Sequence, residues 1–221
     1  ILSILAHASG ITSKLINVKW HLRNFEVVTE DKGAVVLLNH QSVADLLCLN
    51  ILWQSWGKAT CVSKKELLYY LPVGLALYLM DIIFIDRRKP KDAVKILQMK
   101  AKKFFQNKTK IIIFPEGKRN RNYTKLLPFK KGAFNMAVEN QVPIIPIVIS
   151  RYYFINNKKH IFNDGHVIVQ CLDPVSTEGL TMDDVPDLID RVHGDMEKVF
   201  KEISEELVST LPADYPLETL S

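Results

Sequence analysis

Apolar residues along this chain come in short runs separated by polar turns, and the runs have two different periods. Short, β-branched or aromatic runs at 25–28, 34–38, 59–63, 82–85, 111–114, 144–150 and 166–172 predict strands. Longer stretches with apolar residues at helical spacing predict helices at 43–54, 92–106, 131–139 and 183–209. Residues 1–22 carry Ile4, Leu5, Ile11, Leu15 and Leu22 and read as an amphipathic helix. Strands alternating with helices predict an α/β domain: a layered mixed sheet with flanking helices, preceded by that N-terminal amphipathic helix. The expected division is a membrane-proximal segment over 1–24, one folded domain over 25–210, and an irregular tail over 211–221 that holds two prolines. The chain shows no repeats and no low-complexity linker.

Two predicted strands end in chemically equipped turns. After the run 34–38 comes Asn39-His40-Gln41-Ser42-Val43-Ala44-Asp45. On one ideal helix, His40 and Asp45 would point about 140° apart, so they meet only if His40 lies on the loop and Asp45 in the first turn of the next helix. Ser42 is a good N-cap, and Ser42-x-x-Asp45 resembles a capping box. Asp45 can then accept a hydrogen bond from one ring nitrogen of His40, leaving the other free to take a proton from a hydroxyl. After the run 111–113 comes Phe114-Pro115-Glu116-Gly117-Lys118-Arg119. Gly117 permits close backbone approach to an anion, and Arg119 can hold a phosphate with two parallel donors. Each block also has an ordinary reading: a loop histidine, a capping aspartate, a surface glutamate and a solvated arginine.

With these blocks in this order, the chain resembles the glycerolipid acyltransferases, specifically the 1-acylglycerol-3-phosphate (lysophosphatidate) acyltransferases. Four blocks match: Asn39 to Asp45; Ile83-Phe84-Ile85-Asp86-Arg87; Phe114 to Arg119; and Val142-Pro143-Ile144-Ile145-Pro146-Ile147. Leu127-Pro128-Phe129-Lys130-Lys131-Gly132-Ala133 resembles the family's link between the third and fourth blocks. The resemblance runs from about residue 15 to about residue 205 and implies a glycerolipid-acyltransferase fold. It implies that His40 is a catalytic base and Asp45 its partner. It implies that Arg87, Glu116, Gly117 and Arg119 bind the phosphate of the acceptor. By its own chemistry Glu116 can also position the glycerol hydroxyls or orient a basic neighbour. Asn39, Lys64, Lys65, Lys118 and Pro143 are further candidate contacts, Pro143 as part of an apolar wall. Acyl-coenzyme A is the expected co-substrate, lysophosphatidate the acceptor and phosphatidate the product, with no metal and no bound cofactor. The expected setting is the endoplasmic reticulum membrane, with the catalytic domain on the cytosolic side. Two residues depart from the family pattern: Lys118 stands where Thr is usual, and Asp81 where Gly is common.

Composition narrows the setting. The 221 residues suffice for one domain with a sizeable core, and a net charge of +5 favours anionic partners. Cys48, Cys61 and Cys171 have no metal-ligand spacing and read as reduced thiols. The chain has no signal peptide and no apolar run of about 18 residues. It begins at Ile1 without Met, which points to missing upstream residues. The apolar segment 65–80, rich in Tyr and Leu, is either a buried helix pair or a face that dips into a bilayer or walls an acyl groove. The basic run 87–110 is either a solvated face or a contact for anionic headgroups; no nucleic-acid motif accompanies it. Asn107 and Asn122 open glycosylation sequons, which a cytosolic domain would leave bare. Alternative functions are acylation of another lysophospholipid or of glycerol 3-phosphate, thioester hydrolysis, and non-catalytic binding of anionic lipid.

Overall fold

Strand Ala34–Leu38, buried along its whole length, is the middle strand of a seven-stranded sheet. The structure is a computed structural model and describes residues 16–53, 56–71, 73–86, 88, 90–120, 124–156, 160–212, 214–215 and 217. In chain order its strands are β1 (Val18–Arg23), β2 (Ala34–Leu38), β3 (Ala59–Lys64), β4 (Ile83–Ile85), β5 (Lys110–Ile113), β6 (Ile144–Ile149), β7 (Ile155–Asn156), β8 (Ile161–Phe162) and β9 (Gly165–Cys171). Its helices are α1 (Asp45–Leu52), α2 (Val73–Leu79), α3 (Pro90–Gln106), α4 (Lys131–Glu139) and α5 (Val185–Val208). The sheet order is β1-β9-β6-β2-β5-β3-β4, and β7 with β8 forms a separate small hairpin that the sequence pattern did not predict. All neighbours in the large sheet run parallel except β6 and β9, so β1 and β9 oppose the other five strands.

β2 reads as an unbroken apolar run because both faces of the sheet are covered. Val35 and Leu37 point into one core with Phe105 of α3, Phe134 of α4 and Phe200 of α5. Ala34, Val36 and Leu38 point into the other, with Cys48, Leu49 and Leu52 of α1. Each fully buried Val or Leu contributes about 1.5–3 kcal/mol relative to exposure. The two cores clamp the strand so that its end cannot drift.

Most predicted elements are present, and two are corrected. Residues 1–15 of the expected amphipathic helix lie outside the described residues. Residues 18–23 form the edge strand β1, paired with β9 from Val18↔Gly165 to Arg23↔Gln170. There Val18 and Trp20 face inward while Lys19 and His21 are exposed; the open edge of β9 imposes period two on a segment that helical spacing also fits. Residues 25–28, expected as a strand, lie in the 3₁₀ turn Phe25–Thr29. Asn24 ends β1 in the left-handed region at φ 56°, and the Thr29 hydroxyl donates to the Glu26 carbonyl at 2.7 Å, closing the turn. Within the basic run, Lys110 turns inward, and its ammonium donates to the carbonyls of Glu30 at 2.7 Å and Trp56 at 3.2 Å. Burial lowers its pKa. Lys95, Lys100, Lys102 and Lys103 of α3 are exposed.

The parallel strands set the position of any site. β2 lies between β5 and β6, and chain connections diverge from it in both directions. In open α/β sheets the crevice at such a switch point, outside the carboxyl ends of the strands, is where ligands bind. His40 follows β2, the turn 114–119 follows β5, and Ser150 follows β6. β3 and β4, parallel to these, bring Lys64, Lys65 and Asp86 to the same edge.

Candidate active site

His40 Nδ1 lies 2.6 Å from Asp45 Oδ2. Asp45 is the first residue of α1 and is fully buried; the His40 side chain is one-quarter exposed. A carboxylate only accepts, so Nδ1 carries the proton and Nε2 is left as the basic nitrogen. The turn is built by Asp45 itself: the same Oδ2 accepts the backbone amides of Gln41 at 2.8 Å and Ser42 at 3.0 Å. Only half of the expected capping box forms. Asp45 accepts the Ser42 amide, but the Ser42 hydroxyl accepts from Ala44 N at 3.3 Å, and Ala44, not Ser42, is the N-cap.

The turn after β5 holds His40 in three places. Glu116 Oε1 accepts the His40 amide at 2.8 Å, Asn120 N donates to the His40 carbonyl at 2.7 Å, and the Phe114 ring stacks on the imidazole at 4.2 Å. Glu116 is buried, and its other oxygen accepts the amide of Leu127 at 3.0 Å. Burial raises its pKa, against the pull of those two amide bonds. The structure thus gives Glu116 a structural role that the phosphate reading did not include: each oxygen accepts a backbone amide, and the side chain clamps the first block to the third.

The end of β6 is fastened to the same loop. Asn39, fully buried, donates through Nδ2 to the Ile149 carbonyl at 2.9 Å and accepts the Ile149 amide on Oδ1 at 2.8 Å. Gln41 Nε2 donates to the carbonyls of Ile149 and Ser150, each at 3.1 Å. Asn39, a candidate substrate contact, is therefore a structural tie between strands. Pro143 is also corrected. It precedes β6, its carbonyl accepts Val35 N at 3.0 Å, and it lies at the amino end of the strands, away from His40.

The cations fall out as follows. Lys118 and Arg119 are exposed on the turn. Gly117 has φ 69°, and a Cβ there would fall 2.7 Å from the Lys130 side-chain nitrogen, so the glycine lets Lys130 lie across the turn. Lys130 N also donates to the Pro115 carbonyl at 2.9 Å. Lys130 belongs to the link between the third and fourth blocks, and its closeness to Gly117 depends on the fold. Lys64 and Lys65 are exposed at the end of β3. Arg87 lies outside the described residues. Its neighbour Arg88 pairs with Asp86 at 3.2 Å. Asp81, the departure from the family pattern, is exposed at φ 57°, the left-handed region where Gly is ordinary and Asp is tolerated. Among the described residues no three His, Cys, Asp or Glu side chains gather as a metal-ligand set.

Apolar side chains surround this edge. Val43 and Leu46, in the segment leaving β2, are exposed, as are Tyr70, Leu71, Leu75 and Tyr78 in the segment leaving β3, Leu71 by 77%. Segment 65–80 thus forms the 3₁₀ turn Lys65–Tyr69 and short helix α2 with one side open. Among the described residues no helix is long and apolar enough to cross a membrane.

The family model described as Acyltransferase matches residues 19–150, which contain every residue of the His40–Asp45–Glu116–Arg119 arrangement. The chain is 45% identical over 191 residues to human 1-acyl-sn-glycerol-3-phosphate acyltransferase alpha, covering 86% of this chain and 66% of that protein. It is 36% identical over 216 residues to the human beta enzyme, covering 91% and 77%. Its fold matches the crystal structure of the 1-acyl-sn-glycerophosphate (LPA) acyltransferase PlsC from Thermotoga maritima with TM-score 0.72 at 22% identity, covering 96% of this chain and 81% of that one. The chain thus spans slightly less than two thirds of the length of the alpha enzyme.

Proposed function

The chain belongs to the acyltransferase family, and from that premise we propose that it transfers an acyl chain from acyl-coenzyme A to the sn-2 hydroxyl of 1-acylglycerol 3-phosphate, giving phosphatidate. The observation that carries this is the 2.6 Å contact between His40 Nδ1 and Asp45 Oδ2, which leaves Nε2 as a base at the sheet edge. His40 Nε2 takes the hydroxyl proton as the oxygen attacks the thioester carbonyl. Asp45 stabilises the imidazolium. The new ester C–O bond forms, the C–S bond breaks, and the imidazolium returns the proton to the leaving sulfur. The acceptor is itself the nucleophile, so no protein Ser or Cys is needed. Exposed Arg119 and Lys118, with Lys130 across Gly117, supply the charge that a phosphate requires. Arg87 joins them by resemblance.

The acceptor is a lipid, and the apolar residues leaving β2 and β3 support a reading in which this edge faces a bilayer. Tyrosines such as Tyr70 and Tyr78 suit headgroup depth. Exposed lysines of α3 add attraction to anionic lipid. The setting proposed is the endoplasmic reticulum membrane with the domain on the cytosolic side, where acyl-coenzyme A is made.

The test is acyl transfer from oleoyl-coenzyme A to lysophosphatidate in mixed micelles, with wild type beside His40→Ala. Phosphatidate from the wild type alone is expected. Equal product from both proteins rejects His40 as base. Free oleate released without acceptor points to a thioesterase, and product only with other lysophospholipids moves the assignment to a different acceptor.

A further inference from the structure

Every hydrogen bond to the Asp45 carboxylate falls on one oxygen. Oδ2 accepts from His40 Nδ1, Gln41 N and Ser42 N. Oδ1 is buried, and among the described residues no donor meets it in full hydrogen-bond geometry. A bare oxygen on a buried carboxylate is unfavourable and asks for a donor. One such donor is at hand: the hydroxyl of Tyr152 is also buried, lies within reach of the Asp45 side chain, and makes no hydrogen bond of full geometry among the described residues. The phenol lies close enough to Asp45 to interact with its carboxylate. Burial first, then the charges of Asp45 and Cys48, and then hydrogen bonding to the Asp45 side chain, push its pKa well above the ordinary value. It therefore keeps its proton throughout the working pH range.

The fold brings the two groups together by a traceable route. Asn39 and Gln41 fasten the loop before Asp45 to Ile149 and Ser150. The chain then reaches Tyr152 two residues beyond Ser150. The Tyr152 ring sits in the same core as Cys48 and Leu49 of α1. It meets Trp20 edge-on at 6.4 Å and Phe154 at 5.8 Å. Packing fixes the ring.

We propose that Tyr152 is a positioning residue of the His40–Asp45 pair: its hydroxyl donates to Asp45 Oδ1 in the working enzyme and keeps Oδ2 turned toward His40 Nδ1. The inference rests on the acyl-transfer reading of His40 and Asp45. In this role Tyr152 acts on His40 through the carboxylate alone.

The test is Tyr152→Phe, which keeps the ring and removes the hydroxyl. Tyr153→Phe is the control, because that hydroxyl accepts from His166 N at 3.0 Å, away from the pair. Both are assayed beside wild type and His40→Ala, with KM for each substrate, thermal melting, and the NMR signal of the His40 Nδ1 proton. The expected result for Tyr152→Phe is a fall in kcat of about 10-fold, the scale of one hydrogen bond to a charged group. KM and melting stay unchanged, the imidazole proton signal moves, and Tyr153→Phe behaves as wild type. A kcat within about 2-fold of wild type overturns the inference. So does a loss of kcat with lowered melting and an unmoved imidazole proton, which marks a packing role. Active Tyr152→Phe beside inactive His40→Ala rejects this inference alone; absence of His40-dependent transfer in the wild type rejects the underlying reading as well.

Discussion

Glu116 holds His40 by its backbone: Oε1 of one accepts the amide of the other at 2.8 Å across the gap between the β5 and β2 turns. The acidic residue of the third block therefore holds the first block in place. Glu116→Gln offers one acceptor where two amides need one each, leaving His40 N or Leu127 N unpaired at a cost of about 1–3 kcal/mol. The expected outcome is a lower melting temperature and a kcat loss larger than any change in KM. Burial raises the Glu116 pKa, so ionising it costs native-state stability. That penalty is absent below the ordinary value of 4.5 and grows as pH rises from there through the raised value. Melting of wild type and variant across this range should show that the variant lacks this slope; parallel curves would argue against it.

Arg119→Ala and Lys130→Ala should raise KM for lysophosphatidate while leaving kcat nearly intact. Each removes a cation from the turn around Gly117, and a phosphate present before and during reaction is bound equally in both states. Steady-state kinetics with acceptor varied at saturating acyl-coenzyme A would decide. A kcat loss without a KM change would place these cations nearer the reacting bond.

The thiols should be inert. Desolvation pushes the buried Cys171 and the partly buried Cys61 up to about 12 and Cys48 well above its ordinary value. At pH 8 a thiol of that kind is thiolate in about one molecule in 10⁴. Treatment with N-ethylmaleimide at neutral pH is expected to leave acyl transfer intact, with slow alkylation by mass spectrometry. Rapid labelling accompanied by lost turnover would reopen a cysteine route.

Leu71→Asp combined with Leu75→Asp should weaken binding to vesicles without lowering the melting temperature, because both side chains are exposed. Sedimentation with phosphatidylcholine vesicles containing anionic lipid measures it. Unchanged binding would move the membrane contact elsewhere on the surface.

The sequence by itself determined a great deal here. Strong local periodicity located β2, β5, β6 and β9 and the helices α1, α3, α4 and α5, and the five-residue separation of His40 and Asp45 already required a loop followed by a helix start. These are local relations, readable from spacing. What local spacing could not decide was long-range. Residues 18–23 carry apolar positions compatible with either period, and only the vacant edge of β9 made them a strand. The clamp made by Glu116 was hidden because no spacing rule reveals that two amides 76 and 11 residues away would bond to its oxygens. Lys130 reached Gly117, and Tyr152 reached Asp45, through strand order and core packing. Pro143 belonged to a matching block yet fell at the far end of β6, because strand direction decides which end of a motif meets the crevice.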